Sequence, residues 1–342
     1  MKIKYIYRAL LSLVVVMVVS ANRVQAQDPH FSQYFTSPMT INPSLIGKDV
    51  EDWRLTSTLR RQWWGGTVAP YNTYTASIEK RIAMNSTGDN QLGIGLMAFS
   101  DESNNGLLKD TYLSLGAAYN MTLDGAGRHH LGAGLTASYA GRLVDPSKFE
   151  FQSQFGSMGF QRSVPSNDPV TIQSNHYLEV NAGLNYNYSD TKWGFNLGAA
   201  VFHASKPRDG VYLNSTYTVD ARYSVQGGMY FNLANHNQLM LSEISEMQGQ
   251  NSIHSIGAVY KISVKDKNLR SFNVGLWERF GDAIYPYIGL ESERWIAGLT
   301  YDVVTSGVKT ASNSVQSMEL SFAWQFFSAK HLPKPIKRII QY

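Results

Sequence analysis

The side chains able to do acid–base, nucleophilic or metal chemistry are scattered along this chain rather than gathered in motifs. There are eight histidines: His30, His129, His130, His176, His203, His236, His254 and His331. None sits at the H-x-x-x-H spacing that puts two imidazoles on one helix face for zinc, and the adjacent pair His129-His130 points to opposite faces of a strand. The chain has no cysteine, which excludes a disulfide scaffold and thiolate-ligated metal or iron–sulfur sites. His203-Ala204-Ser205 offers a base and a hydroxyl of the kind a barrel hydrolase uses, but no third member accompanies them. Gly93-Ile94-Gly95 and Gly132-Ala133-Gly134 are not nucleotide loops, because no helix follows to hold a phosphate. No catalytic set, cofactor site or metal site is read, and the chain is not expected to be an enzyme. What remains is a series of charges, Arg54, Arg60, Glu79, Glu179, Asp220, Arg222 and Glu319, interspersed with Thr, Ser, Asn and Gly. Mixed signs on one surface suit ion pairing.

The elements that must position these charges are strands. Leu131, Ala133, Leu135, Ala137 and Tyr139 alternate with Gly132, Gly134, Thr136 and Ser138; Met318, Leu320, Phe322, Trp324 and Phe326 alternate with Glu319, Ser321, Ala323 and Gln325. Successive strand side chains point to opposite faces, so each segment has one apolar face and one polar or glycine face. Fourteen such segments are predicted: 53–63, 71–82, 91–100, 110–122, 129–140, 175–188, 192–202, 216–231, 238–245, 252–262, 271–280, 283–291, 294–303 and 316–327. The ninth is weakly patterned. Pro286 removes a ladder donor from the twelfth and predicts an edge irregularity or bulge there. In the eleventh, Glu278 falls in phase with Phe272, Val274 and Leu276, predicting a register slip or an early end.

Alternation alone does not separate a soluble sandwich from a membrane barrel. Many segments have ten residues or more, which at ~3.3 Å rise and ~45° tilt spans roughly 23 Å, close to the apolar band of an outer-membrane barrel. Aromatics recur near segment ends (Trp53, Trp63, Tyr119, Tyr139, Tyr188, Trp193, Tyr301 and Phe326), as in two interfacial girdles. Links after even-numbered segments are short to medium, whereas 141–174, 203–215 and 304–315, all after odd-numbered ones, are the longest. Together these predict an all-β fold: a transmembrane antiparallel up-and-down β-barrel of about 14 strands, in the outer membrane, with both termini periplasmic. The polar faces then line the interior, leaving it either plugged or open as a porin-like channel for small solutes. Gly93, Gly95, Gly132, Gly134 and Gly183 fall on that inner face, where they make room for large neighbours or a loop.

The ends have different characters. Lys2, Lys4 and Arg8 precede the apolar run 9–21, and Val24-Gln25-Ala26 suits cleavage, so 1–26 is expected to be a cleaved signal peptide. With Arg23, its cations account for the whole formal charge of +4, leaving a neutral body that argues against a nucleic-acid partner. The expected organisation is signal peptide 1–26, leader or plug segment 27–52, barrel 53–327 and basic periplasmic tail 328–342.

Three segments are candidates for partner binding. The leader carries Asp28, Pro29, His30, Phe31, Gln33 and Tyr34; aromatics and prolines at that density suit a plug or packed edge, with an unstructured approach to the first strand as the other reading. The long outer loop carries Phe149, Phe151, Phe155, Met158 and Phe160, too much apolar surface to leave in water, and is expected to fold over the mouth or bind a protein. The tail, with Lys334, Lys337 and Arg338 between prolines, is either a solvated end or a docking segment.

Gln27-Asp28-Pro29-His30-Phe31-Ser32-Gln33-Tyr34, then Asn42-Pro43-Ser44-Leu45-Ile46-Gly47 and Arg61-Gln62-Trp63, resemble the opening of the PorP/SprF family. Gly281-Asp282-Ala283, Tyr285-Pro286, Gly298-Leu299-Thr300-Tyr301-Asp302, Thr305-Ser306 and Met318-Glu319-Leu320-Ser321 are similar to its closing region. The ending Arg338-Ile339-Ile340-Gln341-Tyr342 lacks the cysteine found in many members. The resemblance implies an outer-membrane barrel of the type IX secretion system of Bacteroidota, serving secretion or gliding motility. It implies as partners a secreted cargo protein at the cell surface, of the adhesin type with a C-terminal sorting domain, periplasmic components of the machine and outer-membrane lipid.

Overall fold

A computed structural model describes residues 28–65, 69–84, 90–167, 173–209, 218–266, 268–307 and 316–326. The expected signal peptide, and the tail with Lys334, Lys337 and Arg338, lie outside the described residues. The wall strands are β1 (Trp53–Trp64), β2 (Tyr71–Ala83), β3 (Gln91–Ser103), β4 (Leu108–Thr122), β5 (His129–Val144), β8 (Gln173–Ser189), β9 (Trp193–Phe202), β10 (Arg222–Asn232), β11 (Gln238–Gln248), β12 (Asn251–Ser263), β13 (Ser271–Arg279), β14 (Ala283–Glu291), β15 (Trp295–Val304) and β16 (Gln316–Phe326). Between β5 and β8 the long loop carries a small hairpin, β6 (Phe155–Gly156) and β7 (Gly159–Phe160).

Each wall strand pairs antiparallel with its neighbour, and β1 pairs with β16, so fourteen strands form one closed barrel with no free edge. Closure is what hydrocarbon requires, since it offers no partner to an unpaired N–H or C=O. The period-two pattern becomes two faces: Leu113, Leu115, Leu135 and Leu184 point outward and are more than half exposed, while Ser114, Thr136, Asn181 and Asn185 point inward and are buried. Seven of the eight predicted girdle aromatics lie on the outward face near strand ends, while Trp63 sits in an irregular stretch of β1, edge-on to Tyr71 at 5.3 Å. Among the described residues no helix is long and apolar enough to cross a membrane.

Several local expectations change. Pro286 faces outward and causes no bulge; the β14–β15 register is the same on both sides of it, and only the two rungs at Tyr285 and Pro286 are missing. The register irregularity lies instead in β1, between Arg61 and Trp64, where Trp63 takes φ 59°. Glu278 does not slip the register, which runs unbroken on both sides of β13 to its end at Arg279. The eighth wall strand begins at Arg222, not at 216. Asp220 therefore precedes the wall and is exposed rather than lining the interior.

Connections after β2, β4, β8, β10, β12 and β14 leave the barrel at one mouth, here the turn mouth; the long loops leave at the other, the loop mouth. Residues 28–50 run through the bore between them as irregular chain, short 3₁₀ turns and one helical turn, α1 (Pro38–Ile41). Asp28 lies beside the loop-mouth ends of β9, β10 and β11, at His203, Arg222 and Gln248. Gly47 and Lys48 reach the turn mouth, where β1 begins. The first described residue is thus at the loop mouth, not at the turn mouth expected for the chain's start.

Candidate functional site

The leader and the wall meet in three kinds of contact. The first is backbone against glycine. A Cβ placed on Gly93 would lie 2.0 Å from the Ile46 carbonyl oxygen, one on Gly134 2.4 Å from that of Pro43, and one on Gly183 1.9 Å from Asn42 Oδ1. No residue with a side chain fits there. These inward glycines of β3, β5 and β8 form a smooth trough for the leader's backbone. Asn42 and Ser44 are fixed in it: Asn42 Nδ2 donates to the Leu184 carbonyl, and the Ser44 backbone N–H and hydroxyl both donate to Asn42 Oδ1.

The second is apolar. Phe31, Met39 and Ile46 pack with Met97, Phe99 and Ala118 on β3 and β4. Across the bore, Tyr34, Phe35 and Ile41 pack with Met240, Ile244, Val259, Trp277, Tyr285 and Tyr287 on β11 to β14. Phe35 stacks on Trp277 at 5.3 Å and meets Tyr287 edge-on at 5.5 Å, geometries that suit the ring quadrupoles. The interior is therefore not uniformly polar. It is apolar where the leader's own apolar side chains dock.

The third is ionic. Arg60 and Glu319 are register partners on β1 and β16, and Arg60 Nη2 and Arg279 Nη2 both donate to Asp302 Oδ2, at 3.0 and 2.6 Å. Into this group the leader inserts Ser32 and Gln33, whose backbone N–H groups each donate to a Glu319 carboxylate oxygen at 2.7 Å. Ser32 Oγ donates to Asp302, and the Gln33 side chain bonds Ser321 and the Glu319 carbonyl. Both residues are fully buried. Near the turn mouth, Arg54 pairs with Glu79, which also accepts from the Gly47 N–H. The predicted inward charges Arg54, Arg60, Glu79, Glu179, Arg222 and Glu319 all belong to such groups. Asp302, Arg279, Glu246, Asp110 and Arg142 complete them and were not singled out, because their partners are remote in sequence and no local spacing marks them.

At the loop mouth His203 lies between two carboxylates, its Nδ1 2.5 Å from Glu179 and its Nε2 2.6 Å from Asp28. Burial works against charge on His203, yet Asp28 and Glu179 outweigh it and push its pKa up to about 9. Burial likewise opposes charge on Asp28, and His203 and Arg222 reverse it, holding the carboxyl well below the usual range. Both ring nitrogens are committed, and Ser205 is exposed, so the hydrolase reading of His203-Ala204-Ser205 has no base directed at its hydroxyl. His30, with Arg279, Arg60 and Arg222 nearby, is held neutral by burial first and by those guanidiniums second. Arg142 joins Asp110 on β4 to Asp209 of the 203–221 loop, drawing that loop inward.

Of the predicted partner-binding residues, Asp28, Phe31, Gln33 and Tyr34 are thus engaged with the wall, and Pro29 and His30 lie half-buried beside them. The outer-loop aromatics are placed differently. Phe149 and Phe151 meet edge-on at 5.8 Å and are half-buried, and Phe155 contacts Phe160 across the β6–β7 hairpin. Phe155 is 54% exposed and Met158 86%. The loop leans on the β3–β4 connection, through Asp145 N–H to the Leu107 carbonyl and Lys148 Nζ to that of Asn105, and an open cleft of about 1250 Å³ lies between them.

Residues 23–324 match the family model described as type IX secretion system membrane protein PorP/SprF. The chain belongs to the PorP/SprF family. It is an outer-membrane component of the type IX secretion system, with a wall of fourteen strands. No curated protein matches it in sequence. Among solved structures it is similar to the Ralstonia pickettii toluene transporter TbuX, at 11% identity and TM-score 0.49 over 85% of this chain and 94% of that one. It is also similar to a Pseudomonas aeruginosa FadL homologue, at 9% identity and TM-score 0.49 over 83% and 93%.

Proposed function

We propose that this PorP/SprF barrel is a non-catalytic anchor or assembly module that holds secreted type IX cargo at the cell surface. One contrast carries the reading. The bore is filled by the leader, beside which the described residues enclose cavities of about 60, 70 and 20 Å³, while unsatisfied apolar surface gathers on the hairpin at the loop mouth. A filled bore suits a scaffold better than a small-solute channel, and exposed Phe155 and Met158 suit an apolar anchor for a protein. The long loops then face outward, the start of β1 and the end of β16 face the periplasm, and the tail with Lys334, Lys337 and Arg338 is available to periplasmic components.

Replacing 149–160 by a short Gly-Ser linker tests it. Cargo in the medium should rise at least about ten-fold, as loss of aromatic anchors worth ~2 kcal/mol or more implies, while the barrel still inserts. Cargo that stays on the cell removes the hairpin as the docking surface.

A further inference from the structure

The outward face of β11 carries a charge at the middle of the strand. Its inward face carries Met240 and Ile244, packed against the leader, and its outward face carries Leu241, Glu243, Ser245 and Met247. Glu243 is the central residue of the strand. Among the described residues, no other wall strand has a charged side chain at the middle of its outward face. Ser245 Oγ donates to Glu243 Oε1 and lies 2.8 Å from Nδ1 of His254, an outward residue of β12. The carboxylate bonds the serine and not the imidazole, so this is not a relay that would activate Ser245. No cation of the described residues pairs with Glu243. An ionisable group facing hydrocarbon is costly and is normally matched by a partner.

A second, independent anomaly lies beside it. Gly227 on β10 is the register partner of Glu243 and also faces outward. The inward glycines of the trough are forced by contacts at or under 2.5 Å, but a Cβ on Gly227 would meet nothing nearer than 3.7 Å, and its φ is not positive. The chain's own packing therefore does not require a glycine there. Its effect is a dent in the apolar wall, next to an unmatched carboxylate. In lipid, where small residues permit close approach and polar groups bind across the interface, that combination marks a contact.

We infer that the β10–β12 face is an intramembrane interface, and that its occupant is a second, different outer-membrane barrel whose wall presents a lysine or arginine to Glu243 through the Gly227 dent. Charge complementarity decides against a second copy of this chain. A two-fold axis along the membrane normal keeps each residue at the height of its copy, and among the described residues no wall strand presents an outward cation at the middle of its length, so a second copy offers Glu243 no partner. It also decides against phosphate-bearing lipid, which Glu243 repels. A barrel is implied because only closed strand walls and helices cross lipid, and outer-membrane proteins use the former. This interface is separate from the proposed cargo hairpin at the mouth.

The test is a photo-cross-linking residue at Leu241 of the full chain in native outer membranes, with one at Leu135, on the outward face of β5, as control. The expected result is an adduct from Leu241 and not from Leu135. Its cross-linked peptide should map to an outward strand of another barrel that carries Lys or Arg. Glu243→Lys and Gly227→Leu should each reduce it about ten-fold or more, and exchanging the partner's cation for Glu should restore it with Glu243→Lys. Glu243→Leu gives a second readout. It should raise resistance to unfolding by denaturant in pure lipid while abolishing the adduct, as expected of a side chain retained for a contact and not for the fold. Equal adducts from both positions, adducts of lipid or of a second copy, insensitivity to Glu243→Lys, or a Glu243→Leu barrel that is less stable would each overturn the inference.

Discussion

The two sides of the bore hold the same leader by opposite means. On β3, β5 and β8 the wall withdraws its side chains, and the leader's backbone lies against bare glycine. On β11 to β14 the wall projects Trp277, Tyr285 and Tyr287, and the leader answers with Phe35 and Tyr34. The glycine side works chiefly by shape and tolerates no added atom at Gly93, Gly134 or Gly183, although Met97 and Phe99 of β3 add apolar contact there. The aromatic side works by buried area and tolerates rearrangement, but not truncation. Filling one lumen thus places two different constraints on the sequence.

Three substitutions sharpen that contrast. Phe35→Ala should have the largest effect, about 3–5 kcal/mol of lost stability from the transfer and cavity terms, read as a lower denaturation midpoint in lipid. The leader should nonetheless keep its place, so planar bilayers stay as silent as those with wild-type protein. Steady wild-type conductance would instead favour the channel reading. Gly93→Ala should cost less, about 1–3 kcal/mol, but should dislodge Ile46 and Gly47, seen as protease cleavage within 40–50. If Phe35→Ala exposes that stretch and Gly93→Ala does not, the two sides have been assigned the wrong roles.

The smallest effect lies at the latch between Asp28 and His203. Because the folded His203 pKa is raised to about 9 from an ordinary 6.5, its contribution is fully present below about pH 6.5 and fades as pH rises through about 9. Asp28, held low, contributes above its ordinary 3.8 and loses that only in strong acid. Protease access near residue 28 should therefore increase between pH 7 and pH 10, and His203→Asn should flatten that profile. A profile unchanged by the substitution would assign the opening to other groups.

Much of the wall is legible because lipid enforces a strict period of two: the existence of all fourteen strands, the outward aromatics other than Trp63 and the inward glycines follow from it, whereas the start of the eighth strand does not. Asp220 stands in phase with Arg222, so alternation alone carries it into the strand that Arg222 begins. Alternation puts Trp277 opposite Phe272, Val274 and Leu276, hence inward, but does not name what Trp277 and Tyr287 pack against. Asp302 and Arg279 escaped for a related reason. Their company is set by closure of the ring, which joins residues remote from one another in the chain. The leader's density of aromatics indicated a need for burial, but its route, from Asp28 at the loop mouth down to β1, follows from the trough and not from composition.

That route constrains the order of assembly. Ser32 and Gln33 sit against Arg60 and Glu319, on the first and last strands, where the cylinder is sewn shut. A ring zipped up empty would leave Glu319 without the two backbone N–H donors that Ser32 and Gln33 supply, and would then have to be threaded lengthwise by a leader bearing Phe31, Tyr34 and Phe35. Wrapping the sheet around a leader already laid along it avoids both obstacles, and makes the leader the mandrel on which the cylinder is rolled.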